Sequence, residues 1–124
     1  MNFPGMLAYA GNGTVWIKPN YRHDVYLYDT DKNVILVKID TGIGGEGIGW
    51  DKQTGNLWLH DGVKVVEFDP SKGEIVSKHP SPVSNGASED VVLDKYGRVW
   101  VSADERVKGV KSNKVYAPIC ARKN

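Results

Sequence analysis

The chain has 124 residues, 40% of them hydrophobic and 25% charged, which is the balance of one soluble globular domain and not of a disordered tail. Sixteen basic against fifteen acidic side chains leave a net charge of +1, so no overall field draws the protein to nucleic acid or to an anionic membrane. A single cysteine, Cys120, excludes an internal disulfide framework and favours a reducing, cytoplasmic setting; no apolar run reaches membrane-helix length, and Met1 to Gly5 has no basic-then-apolar pattern of a secretory signal.

Along the chain, Met6 to Tyr9 is a short apolar run, Ala10-Gly11-Asn12-Gly13 offers a tight turn, and Thr14 to Lys18 is β-branched and aromatic. After a break at Pro19-Asn20, strands are expected at Asp24 to Tyr28 and Val34 to Ile39, joined by the turn Asp29 to Asn33. The glycine-rich segment Asp40 to Gly45 crosses to a second unit. There the expected strands are Glu46 to Asp51, Asn56 to His60, Val63 to Phe68 and Glu74 to Lys78, with Pro80 and Pro82 expected to stop ladder pairing. A third unit opens with Glu89 to Asp94 and Arg98 to Ser102, followed by less regular strands expected at Val107 to Val110 and Lys114 to Ile119.

The units are repeats. Val15-Trp16-Ile17, Leu57-Trp58-Leu59 and Val99-Trp100-Val101 place tryptophans 42 residues apart, and a glycine precedes each by three residues, at Gly13, Gly55 and Gly97. A period in the low forties built from four short strands is the signature of a β-propeller blade. The expected fold is therefore all-β: about three four-stranded antiparallel blades in a single domain, 1–124, with repeats at approximately 4–45, 46–88 and 89–124. Strand two carries apolar side chains on both faces, as a sheet packed between two others requires.

Three blades fall short of the roughly four to eight of a closed ring, and the outer faces of the end blades would be left bare. Association is therefore expected. The simplest form is a homodimer closing a six-bladed ring, with Trp16 and Trp100 of the terminal blades at the seam; the alternative is a fragment of a longer propeller.

Gly45-Glu46-Gly47-Ile48-Gly49-Trp50-Asp51 followed by Thr54-Gly55-Asn56-Leu57-Trp58 resembles blade openings of the gluconolactonase/regucalcin family. Glu89 to Asp94 followed by Gly97 to Val101 is similar to blade openings of NHL-repeat and streptogramin-lyase propellers. The lactonase resemblance implies a divalent cation, calcium or magnesium, at the channel mouth. Glu46 sits on the matching glutamate position, Glu89 opens the next repeat, and Asn85 is the nearest amide oxygen. The first repeat departs from this pattern, with Pro4 where the second has Glu46, and the family's other ligand-bearing openings are missing.

The lyase resemblance implies a histidine base, yet His23, His60 and His79 share no repeat position; His60 ends its strand where the other repeats have Lys18 and Ser102, and is expected to face a loop and solvent. Asp29 to Asp40 has calcium-loop spacing, but Val34 occupies the glycine position and turn chemistry is the better reading; Asn12-Gly13-Thr14 likewise reads as a turn and not a glycan acceptor. Nucleotide loops, zinc clusters and serine-hydrolase elbows are absent from the sequence. The expected function is a binding or assembly module for a protein, glycan or small ligand, with Trp50, Tyr21 and Tyr26 as candidate sugar platforms. A metal-dependent lactonase or lyase is the alternative.

Overall fold

The computed structural model describes residues 5–82, 88–104, 113–115 and 119–120. Every regular element among them is a strand, and the strands form three antiparallel sheets in chain order. The first sheet is the meander β1 (Gly5–Gly11), β2 (Thr14–Pro19), β3 (Asp24–Asp29) and β4 (Val34–Asp40); the second is β5 (Gly47–Trp50), β6 (Leu57–His60), β7 (Lys64–Asp69) and β8 (Glu74–Pro80). The third contains β9 (Ser88–Leu93), β10 (Arg98–Asp104), β11 (Asn113–Val115) and β12 (Ile119–Cys120).

The turns explain the repeat at the level of single residues. Gly13, Gly55 and Gly97 have φ of 76°, 79° and 78°, the left-handed conformation that glycine adopts without a Cβ penalty, and this fixes the first hairpin of each blade. The second kind of turn is built by aspartate. Asp29 Oδ1 accepts from the amides of Asp31 and Lys32, and Asp69 Oδ1 accepts from those of Ser71 and Lys72. Asp29 closes the β3–β4 turn while Asp40 pairs with Asp24 at the opposite end of the same ladder, so the two cannot share a cation.

Two strand expectations change. Pro80 ends β8 opposite Lys64 instead of breaking the ladder, which an edge strand tolerates because its outer side needs no donor. In the third sheet, both β11 and β12 hydrogen-bond to β10, β11 against Ser102 to Asp104 and β12 against Arg98 and Val99. Residues 113–115 and 119–120 thus pair along β10 in the strand-three place, where Val107 to Val110 was expected; residues 107–110 lie outside the described residues.

Packing follows one rule. Because side chains alternate across a strand, each tryptophan points to one face of its sheet and its two aliphatic flanks to the other. Trp16 lies in the core between the first and second sheets with Leu57, Leu59, Ile48, Val66 and Phe68, so the Trp face of the first sheet meets the flank face of the second. Trp58 lies between the second and third sheets with Val99, Val101 and Val91, repeating the arrangement. Leu57, Trp58 and Leu59 are at most 1% exposed, and burial of such side chains stabilises by about 2–3 kcal/mol each.

The innermost strands β1, β5 and β9 lie side by side, and glycine lets them approach. A Cβ on Gly47 would stand 2.7 Å from Val91 Cγ2, and one on Gly49 2.9 Å from the Val91 carbonyl oxygen. The two outer glycines of the Gly47-Ile48-Gly49 segment are thus required for strand contact, independently of any ligand.

Candidate functional site

Chain direction places the crossings between sheets, the starts of the innermost strands and the ends of β2 and β6 at one end of the assembly. Lys18 and His60 stand there, at equivalent places in successive repeats, each two residues after its tryptophan and therefore on the Trp face. Both are fully buried, at 0% exposure. His60 thus lies inside the second seam and not on a solvated loop, because the strand pleat carries it to the same face as Trp58.

The Lys18 amine donates to the carbonyl of Gly45 at 2.8 Å and to that of Arg22, tying the β2–β3 loop to the crossing that leads into β5. Burial lowers its pKa to about 8, against the opposing pull of the Glu46, Asp24 and Asp61 charges. His60 Nε2 lies 2.7 Å from Ser81 Oγ, and its buried Nδ1 has no hydrogen-bond partner among the described residues. Burial holds the imidazole below its ordinary pKa, with the Asp61 charge acting the other way. Burial pushes the Asp61 carboxyl up, but the Lys64 ammonium at 2.7 Å and the Val63 and Lys64 amides outweigh it and set the net shift downward.

This end therefore carries a buried amine, a buried neutral imidazole and several carboxylates around the crossings. The Lys18 protons are directed at backbone carbonyls, so the group acts as a strut and not as a free base. Glu46 is half-buried, and its charge acts on the Lys18 amine, so this carboxylate already has a cationic neighbour. Asn85 and the Glu89 side chain lie outside the described residues. Among the described residues, no three His, Cys, Asp or Glu side chains converge as a metal site.

At the opposite end, where β1, β5 and β9 finish, a cleft of about 380 Å³ is lined by Tyr9, Trp50, Asp51, Lys52, Leu93, Asp94 and Lys95. Its acids are engaged in structure. Asp94 accepts from the amides of Tyr96 and Arg98, from Arg98 Nε at 2.7 Å and from Trp100 Nε1 at 3.0 Å, and this set holds its carboxyl well below the usual carboxylate range. Asp51, 3% exposed, accepts from the Gln53 amide. Of the candidate sugar platforms, Trp50 packs partly against the core, Tyr26 lies under the Lys38 ammonium at 5.9 Å, and Tyr21 is exposed.

The two seam candidates separate. Trp16 is 5% exposed and faces the second sheet, so it belongs to an inner seam of the chain. Trp100 faces away from the second sheet and walls an apolar hollow of about 290 Å³ with Asp90, Val92, Val101 and Ser102. On the first sheet the open face is the flank face, marked by Leu7 and Tyr9 at 63% and 67% exposure. The triplets carried only part of this signal: period-two alternation puts each tryptophan and its flanks on opposite faces, and the stacking of the second sheet on the Trp16 face leaves the flanks free on the first blade.

No protein-family model and no curated protein matches the chain. Among solved structures it is similar to a luciferin-regenerating enzyme, with 17% identity and a TM-score of 0.65, over 96% of this chain and 45% of that one. It is also similar to the β-propeller domain of Cps50 (Swd1) of Myceliophteria thermophila, with 12% identity and a TM-score of 0.52, over 84% of this chain and 35% of that one. The chain spans less than half the length of these structures. The likenesses and the three antiparallel sheets, two of them four-stranded meanders, define an all-β protein of β-propeller fold.

Proposed function

We propose that the chain is an assembly and binding module: a run of three propeller blades that further blades complete, and whose crossing end then meets a partner or small ligand. The carrying observation is that the end blades expose the same two kinds of face that are buried at the inner seams. Leu7 and Tyr9 project from one end, while Val92 and the wall of Trp100 form the other. Exposed apolar faces of the kind buried at the inner seams mark surfaces that are covered in use.

Metal-assisted lactonase or lyase chemistry has less behind it. Glu46 is the one member of the expected ligand set whose side chain is described, and the neighbouring Lys18 ammonium opposes a divalent cation there.

Light scattering and binding of an environment-sensitive hydrophobic dye, followed from nanomolar to micromolar concentration, test the module reading. Dye binding is expected to fall as mass rises, because association covers the end faces. A folded chain of constant monomer mass with no dye binding would set the reading aside.

A further inference from the structure

Resting on the module reading, we infer that the partner completing the ring is a second copy of this chain, joined head to tail. The Trp100 face of each copy takes the Leu7 and Tyr9 face of the other, and the two seams close a ring of six blades about a two-fold axis.

The two inner seams show what each face accepts. At the second seam, Val91 and Leu93 of the incoming innermost strand seat against Gly47 and Gly49, beside Trp58. At the first, Ile48 and Trp50 seat against the Trp16 face of the first sheet, which also carries Met6 and Ala8. Strand register fixes the equivalents of the inserting residues. Ile48 pairs with Leu59 and Trp50 with Leu57; Val91 pairs with Val101 and Leu93 with Val99. In the first sheet the same two places are taken by Leu7, opposite Ile17, and Tyr9, opposite Val15.

Leu7 and Tyr9 are thus the inserting pair of a third seam, and they stand exposed with no described sheet of the same chain packed on them. The receiving face is present at the other end, as the apolar hollow beside Trp100. Each chain carries one inserting and one receiving face, so two copies satisfy both. Such a contact is heterologous, and it ends in a closed ring only if the rotation per blade brings the sixth back to the first; otherwise it continues as an open chain of copies. Val92 stands where the inner seams have Ala8 and Gly49, since each pairs with its sheet's tryptophan, so the third seam is spaced wider than the inner two.

Native mass spectrometry and light scattering on the wild type, on Leu7→Glu and on Trp100→Glu test this. The wild type is expected at twice the chain mass. Each variant alone is expected to dimerise about tenfold more weakly or worse, since it spoils both seams and removes a buried apolar contact from each. Mixing the two variants is expected to restore a heterodimer, because one of its seams joins two unaltered faces. Tyr9→Glu with Val92→Glu repeats the test if circular dichroism shows that a first variant has lost its fold. A ladder of larger species overturns the closed dimer and leaves the module reading standing. A dimer that survives both variants, or is not restored on mixing, places the interface elsewhere and overturns the inference. A folded wild-type monomer overturns this inference; it overturns the module reading as well only if that monomer binds no hydrophobic dye.

Discussion

Gly49 of β5 and Val91 of β9 meet so closely that a Cβ on the glycine would stand 2.9 Å from the Val91 carbonyl oxygen. Backbone cannot yield there as a side-chain tip could. Gly49→Ala is expected to destabilise the fold by about 1–3 kcal/mol through forced separation of the two innermost strands. Gly73→Ser is the control, since open space surrounds its Cβ position, although its φ of 68° adds a local backbone cost of about 1 kcal/mol. Urea unfolding of both variants reads the difference.

Lys18 gives a basic-side signature. Its folded pKa of about 8 lies below its ordinary 10.5, so between these values the unfolded chain binds more protons and stability rises with pH. The increment reaches about 3 kcal/mol at full effect. In Lys18→Met this part of the slope is expected to vanish, as measured by unfolding midpoints at pH 7.5, 9 and 10.5.

His60 gives an acid-side signature. Its imidazole is held below the ordinary 6.5 by burial, so protonation favours the unfolded chain and stability falls as pH drops below that value. His60→Gln is expected to flatten the fall while lowering stability at neutral pH through loss of the ring's packing and of the imidazole contact with Ser81 Oγ. Thermal unfolding between pH 5 and neutrality checks both parts.

Asp94 acts at lower pH. Its carboxyl is held down chiefly by the Trp100 indole, with the Arg98 and Tyr96 donors adding to it, so the stability it contributes is present above the ordinary 3.8 and is lost as pH falls through its lower folded value. Asp94→Asn keeps the shape and loses the charge. The variant is expected to unfold earlier at neutral pH and to show less further loss in strong acid, which tryptophan fluorescence follows through Trp100.

The fold was legible because the residues that define a blade act locally. Gly13, Gly55 and Gly97 are set by a backbone angle, Asp29 and Asp69 by hydrogen bonds to amides two and three residues on, and the triplets by period-two alternation. None of these needs a distant partner, so each leaves its mark in a few consecutive residues.

Tertiary structure decided the rest. Lys18 and His60 look like strand-end polar residues in sequence; stacking of one sheet on the next buries them, shifts their proton affinities and makes one a strut across 27 residues of chain. The same stacking turned Trp16 inward and left Trp100, Leu7 and Tyr9 on open faces. Sequence alone determined three blades and their turns, because turn geometry and alternation are written in neighbouring residues. Which face of each blade is covered depends on the direction in which successive sheets stack, and that is a relation between residues some 42 apart which no local pattern carries.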